Sequence, residues 1–292
     1  MKNPVVKGWY ADPESRVYND KVYMYVTKSL PYEEQMNIDL VVTEDLVNYE
    51  TIYDILDMST YKGVIGFVWA PSVVEKDGKY YLVFAANDLR EDHAPGGLYV
   101  GVSEKPEGPF KNIFEDGRAI INVFHNGAQP IDAHFFKDDN GDIYLYYGGW
   151  RHLNVCKFNE TMDDFVDLGI EGASDGKFLE ITPEAYVEAP YVLKVGDKYQ
   201  LMYSSGDWMN GTYCVKAAEA DSPVSQFNFY NDILWAAEIA DGPGHNSAFF
   251  FNGKHYVAYH RRIVGDLNCH HRVLCVDELK IEDGRFQPVT MT

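Results

Sequence analysis

Basic residues are scarce in this 292-residue chain: 25 Lys and Arg stand against 45 Asp and Glu, a formal charge of −20. Nucleic acids and anionic membranes both demand a basic footprint, so neither is expected as a partner. Long apolar runs are also missing, and no stretch approaches the roughly 18 consecutive apolar residues that suggest a membrane-spanning helix. Cysteine is sparse. The four present, Cys156, Cys214, Cys269 and Cys275, form no CxxC pair, which argues against a disulfide scaffold and against the usual zinc spacings. No phosphate-binding loop and no dinucleotide fingerprint occurs. No sustained 3.6-residue periodicity marks a helical fold.

Aromatic residues, by contrast, are plentiful at 15%, with 22 Tyr among them, a supply that suits strands. A chain of this length can bury roughly three quarters of the surface its unfolded form exposes, so it needs no metal or disulfide to fold. Glycine and proline are scattered rather than gathered into a linker. The expectation is therefore one domain over residues 1–292.

One pattern recurs five times. A short polar or aromatic lead is followed by an apolar run, a tight turn, and alternating aromatic and aliphatic residues. The leads are Asp12-Pro13, Trp69-Ala70-Pro71, Asp132-Ala133, Glu188-Ala189-Pro190 and His245-Asn246-Ser247. The turns are Asn19-Asp20, Asp77-Gly78, Asp139-Asn140-Gly141, Gly196-Asp197 and Asn252-Gly253. Such turns need positive φ and signal hairpins. The leads are spaced by 57, 63, 56 and 57 residues, which leaves about 30 residues after each hairpin for two more strands. Regular repeats of this length indicate a propeller. The fold class is thus all-β: a five-bladed β-propeller with four-stranded antiparallel blades. A β-sandwich with coincidental hairpins fits the even spacing poorly.

In a propeller the innermost strands surround the axis, so the five leads form a ring: Asp12, Trp69, Asp132, Glu188 and His245. Three are carboxylic acids, where chance placement would put fewer than one. Like charges crowded together raise one another's pKa and cost stability, so a fold that keeps three of them at its axis uses them. Each acid alone could instead cap a turn. Paired carboxyls are the machinery of glycoside hydrolysis, one delivering a proton and the other activating water or attacking directly. Trp69 offers a flat face to a sugar ring, or serves as an ordinary buried aromatic.

At these residues the chain resembles glycoside hydrolase family 43. The segments carrying the likeness are Ala11-Asp12-Pro13, Trp69-Ala70-Pro71-Ser72, Ile131-Asp132-Ala133, Val187-Glu188-Ala189-Pro190, Gly244-His245-Asn246-Ser247 and Tyr259-His260-Arg261. Ala133 stands where Pro is frequent in the family, and Ala189 where Gly is frequent. The resemblance implies an inverting enzyme that releases a terminal pentose from plant-derived oligosaccharides. It makes Asp12 the general base, Glu188 the general acid, and Asp132 the residue that orients that acid and holds up its pKa. It places Trp69, Ile131, His245 and Arg272 against the sugar, with Arg261 and Arg262 as rivals to Arg272. No cofactor is required, although His245 would lie near an axial calcium ion or water cluster. The expected substrate is an α-L-arabinofuranoside, with β-D-xylosidase or dual activity as the alternative. A retaining mechanism with a nucleophile and a non-catalytic carbohydrate-binding propeller are the remaining readings. Without an apolar leader after Met1, the expected location is cytoplasmic. The oligomeric state is unspecified.

Four further signals point elsewhere or nowhere. Gly172-Ala173-Ser174-Asp175-Gly176 matches a nucleophile elbow but lacks the strand-turn-helix setting that motif needs. Cys269-His270-His271 with Cys275 fits no common zinc spacing. The loop Asp88, Glu91, Asp92 and His93 is expected to be solvated, with a rim contact as its alternative. The segment Tyr146 to His152 is expected near the pocket rim.

Overall fold

A computed structural model describes residues 2–292. The first blade comprises β1 (Tyr10–Tyr18), β2 (Lys21–Lys28), β3 (Ile38–Thr43) and β4 (Tyr49–Ile52). The second comprises β5 (Trp69–Lys76), β6 (Lys79–Ala86), β7 (Gly97–Ser103) and β8 (Lys111–Asn112). The third has β9 (His134–Lys137), β10 (Ile143–Tyr147), β11 (Asn154–Lys157) and β12 (Leu179–Glu180). The fourth has β13 (Glu188–Val195), β14 (Lys198–Ser205), β15 (Cys214–Ala220) and β16 (Asn228–Leu234). The fifth has β17 (Asp241–Phe251), β18 (Lys254–Arg262) and β19 (Arg272–Glu278). Each sheet is a meander in chain order, antiparallel throughout. This is the five-bladed propeller that the repeat predicts.

The fifth blade departs from the expected four strands. Its sheet stops at three, and β20 (Ile281–Glu282) and β21 (Arg285–Phe286) form a separate small hairpin. The amino-terminal segment lies along the exposed side of β19 instead. Val5 N–H donates to Leu274 O, and the Asn3 side chain bonds both the N–H and the carbonyl of Val276. The edge of the last strand is thereby partly covered by the start of the chain, which ties the two ends of the ring together.

Turn chemistry explains the hairpins. Asn19 and Asp20 both have positive φ (50° and 61°), as do Asp77 and Gly78 (53° and 78°) and Asn252 and Gly253 (49° and 80°). These dipeptides tolerate the left-handed region, and the resulting turns match strand twist. The strands that follow alternate faces. In β6, Leu82 and Phe84 pack with the first blade, while Val83 and Ala85 pack with the third. The core is thus five clusters, one between each pair of adjacent blades. Burying each such Leu or Phe contributes about 1.5–3 kcal/mol.

The inner strands share one irregularity that sets up the site. In β1, β5, β13 and β17 the register slips near the start of the strand, between Ala11 and Glu14, Trp69 and Ser72, Glu188 and Tyr191, and Gly244 and Ser247. A residue with positive φ marks this bulge in every blade: Asp12 (51°), Ala70 (49°), Asp132 (53°), Ala189 (59°) and His245 (41°). Bulges bend a strand and re-aim side chains. The ring expected from the repeat therefore mixes two levels. Asp12, Asp132 and His245 hold the left-handed position, whereas Trp69 and Glu188 sit one residue earlier, level with Ile131. Asp132 also lies just before β9 rather than within it.

Candidate active site

A cavity of about 240 Å³ opens at the end of the axis where the inner strands begin. Asp12, Trp69, Ile131, Asp132, Glu188, His245 and Arg272 all line it. Apart from the rival arginines Arg261 and Arg262, every residue proposed from the sequence as catalytic or sugar-contacting converges on this one hollow.

The bulges leave backbone N–H groups outside the strand ladders, and neighbouring side chains take them up. Asp12 N–H donates to His260 Nδ1 (3.2 Å), Ala70 N–H to Thr27 Oγ1 (2.8 Å) and His245 N–H to Ser204 Oγ (3.0 Å). In each case the acceptor comes from the second strand of the preceding blade. The strained positions are thus held from outside their own strand, which fixes the direction of the side chains.

Asp12 is buried, with 6% of its surface exposed. Its Oδ1 accepts from Arg272 Nη1 (3.2 Å) and lies 3.4 Å from His245 Nδ1. Burial works to raise its pKa, but Arg272, with His245 and His260, outweighs it and holds Asp12 well below the usual carboxylate range,. Arg272 is fixed in turn by Ser29 Oγ, which accepts from Nε (2.9 Å), and its guanidinium lies 5.3 Å from the Trp208 ring. Its rivals are engaged elsewhere. Arg261 donates to Thr292 O, and Arg262 bonds Met209 O and Asp241. The choice among the three arginines therefore falls on Arg272.

Glu188 and Asp132 have the opposite electrostatics. Burial pushes the Glu188 carboxyl up to about 7; the Tyr213 hydroxyl, which donates to Glu188 Oε1 (2.8 Å), opposes this rise, and Asp12 adds to it. Asp132 is raised by burial, by Glu188 and by Asp12, and its Oδ2 lies 3.6 Å from His245 Nδ1. Two buried carboxyls near one another favour keeping a proton between them. Meanwhile burial lowers the pKa of His245, so its ring is neutral at pH 7. One ionised carboxylate and a pair that retains a proton, facing one cavity, form the acid and base division that glycoside hydrolysis needs.

Tyr213 explains Gly244. The Tyr213 ring stacks on His260 (5.8 Å, 8°), and a Cβ added at Gly244 would lie 2.0 Å from its Cε1. Gly244 stands level with Trp69, Ile131 and Glu188 in the other blades; it carries no side chain so that Tyr213 can reach the acid.

A second tier of residues walls the cavity, drawn from the loops between second and third strands. Tyr32, Asp88, Arg90, Trp150 and Trp208 all come from such loops, and Arg272 follows the last of them. Trp69 packs between Tyr32 and Phe67, and its indole N–H donates to the fully buried Gln35. Gln129 donates to Asp88 Oδ1 (2.8 Å), and Asp88 Oδ2 pairs with Arg90. Asp88 is therefore a wall residue rather than part of a solvated loop, and Trp150 stands at the rim as the sequence suggests. Sequence reasoning did not single out Tyr32, Arg90, Gln129, Trp208, Tyr213 or His260 as site residues. The five-fold rule would have found Tyr32 and Trp208, since both follow a second strand at the same end as the acids.

Other motifs stay outside. Gly172–Gly176 forms part of a turn between β11 and β12, far from any strand-turn-helix elbow. Among the described residues no group of three or more His, Cys, Asp or Glu converges as a metal cage, either at Cys269-His270-His271 or around His245. His245 Nδ1 faces Asp12 and Asp132 instead, so these residues do not fit a protein-built calcium cage.

The sequence model described as "Glycosyl hydrolases family 43" matches residues 1–286. A β-D-galactofuranosidase of Aspergillus niger is 36% identical over 308 residues, covering 99% of this chain and 85% of the relative. An α-L-arabinofuranosidase of Clostridium thermocellum superposes with a TM-score of 0.77 at 26% identity, covering 97% of this chain and 94% of that one. A β-xylosidase/α-arabinofuranosidase from a compost metagenome, described as calcium-free and in complex with xylotriose, superposes with a TM-score of 0.80 at 23% identity, covering 98% and 96%.

Proposed function

The chain belongs to glycosyl hydrolase family 43, and from that membership we propose that it is an inverting, exo-acting α-L-arabinofuranosidase. It is a glycoside hydrolase of a family with arabinose- and xylose-releasing members, which sets aside the non-catalytic reading. The observation that carries the mechanism is the split in acidity around one cavity. Asp12, held ionised by Arg272, takes a proton from water on one face of the sugar. Glu188, protonated up to about pH 7, gives its proton to the departing oxygen,. Asp132, whose own pKa is raised by burial and by Glu188, is read as the residue that positions that acid. Trp69, locked by Gln35, gives the sugar a flat wall. His245 lines the same cavity.

The furanose reading draws on the relatives' names. β-D-galactofuranose is α-L-arabinofuranose with one further hydroxymethyl carbon, and the two share a ring configuration. A galactofuranosidase at 36% identity and an arabinofuranosidase at 26% thus point to the same five-membered ring. The second reading, β-D-xylosidase activity, draws on the compost enzyme. Comparing kcat/KM on the p-nitrophenyl glycosides of α-L-arabinofuranose, β-D-galactofuranose and β-D-xylopyranose decides between them. The arabinofuranoside is expected to rank first and the galactofuranoside second. A xylopyranoside that ranked first would overturn the assignment.

A further inference from the structure

Below the cavity the axis is filled by charge that the catalytic site does not use. Glu14 projects from β1 and is 5% exposed. Its Oε1 pairs by charge with Arg16 Nη2, and among the described residues that oxygen accepts no hydrogen bond. Its Oε2 lies 3.5 Å from His134 Nδ1. The Arg16 guanidinium then spans the axis. Nε donates to Val73 O on β5 (2.7 Å) and Nη2 to Phe135 O on β9 (2.7 Å). One side chain from the first blade therefore binds carbonyls of the second and third.

The belt continues around the ring. His134 Nε2 bonds Val192 O on β13 (3.1 Å), and because a carbonyl can only accept, that nitrogen carries the hydrogen. Tyr191 on β13 donates to Ala248 O on β17 (2.5 Å). Ser15 N–H on β1 donates to Ser247 Oγ on β17 (2.9 Å). All five inner strands are thus joined across the axis, and the far mouth is lined by Arg16, Tyr18 and Tyr191.

We infer that the Arg16 guanidinium is the built-in axial cation of this propeller, so that closure of the ring and turnover depend on no bound divalent ion. A hard divalent cation needs oxygen donors. Of the oxygens that could serve here, the carbonyls of Val73 and Phe135 already accept from Arg16, and Glu14 Oε1 is already neutralised by its charge. A second cation entering the axis would also meet the fixed positive charge of the guanidinium. The planar fork of an arginine suits three acceptors arranged around a hole, and its charge does not titrate. The inference concerns the axis and stands apart from the choice of sugar.

The test uses the full chain, stripped with EDTA and then supplied with millimolar calcium, magnesium or manganese chloride. Melting temperature and aryl-glycoside turnover are read in each state. All of these values are expected to coincide with those of the untreated protein. A rise in Tm of about 5 °C or more with any cation, the size that ligation well above Kd would give, would overturn the inference, as would loss of half the turnover in EDTA. Arg16→Met is expected to lower Tm by roughly 10 °C, because it strands a buried carboxylate. Adding Glu14→Gln should recover part of that loss by removing the stranded charge. A wild-type Tm in Arg16→Met, or no recovery in the double variant, would contradict the role given to the pair. If Arg16→Met does not fold, the cation titration of the wild type decides alone.

Discussion

Replacing Tyr213 by Phe removes one hydroxyl and leaves the ring that stacks on His260 and fills the space above Gly244. The lost contact is the 2.8 Å bond from Tyr213 Oη to Glu188 Oε1. A hydrogen bond donated to a carboxylate favours the ionised form, so this bond holds the Glu188 pKa down against burial,. Hydrogen bonds to charged groups contribute about 1.5–3 kcal/mol, and 1.36 kcal/mol corresponds to one pKa unit. Allowing for partial replacement by water, the Glu188 pKa should rise by about one unit from its value of about 7,. The sign then follows from the role of the residue. A general acid works only while protonated, so wild-type kcat/KM should fall as pH rises through about 7,. In Tyr213→Phe the alkaline limb should move up by about one pH unit. The assay is the pH profile of kcat/KM on an aryl α-L-arabinofuranoside. An alkaline limb that stayed in place or moved to lower pH would refute the reasoning, whatever happened to the maximum rate.

Three other substitutions separate the roles. Glu188→Gln should cost about 10²–10⁴-fold in rate on glycosides with poor leaving groups, and far less on a dinitrophenyl glycoside, whose departure needs no proton. Asp12→Asn should abolish turnover of both, since water activation is common to them; full activity on either would remove Asp12 from the role of base. Arg272→Met should lower kcat/KM and also raise the pKa values of Asp12 and Glu188, because the guanidinium lowers both. An acid limb absent from the wild type should then appear as Asp12 protonates, and both limbs should lie at higher pH. A profile of unchanged shape would show that Arg272 does not set the charge of Asp12.

The sequence made the blade count legible because each inner hairpin needs a turn with positive φ, and Asn-Asp, Asp-Gly and Asn-Gly announce such turns directly,. It also brought Asp12, Asp132 and Glu188 to one end of the axis. The one-residue offset of Trp69 and Glu188 was not legible, since a bulge changes which residue points inward without changing the spacing by more than one,. The fifth blade was expected to hold four strands because the repeat leaves room for two after each hairpin, yet Ile281–Phe286 pairs only with itself while Asn3 and Val5 take the edge of β19. Tyr213 carried no local signal, and His260 stood in a recognised segment, Tyr259-His260-Arg261, without an assigned role. Their importance comes from contacts distant in sequence, 25 residues from Glu188 within one blade in the first case and 248 from Asp12 across two blades in the second. Arg16 was similarly silent, an ordinary strand arginine until the ring closes around it.

The central claim is that two carboxyls of opposite protonation act on opposite faces of one sugar through an intervening water. Proton NMR of the first-formed product from an aryl α-L-arabinofuranoside, recorded before mutarotation, tests it most directly. The account predicts that β-L-arabinose appears first and the α-anomer grows in later. Initial release of the α-anomer would mean a covalent intermediate and would contradict it.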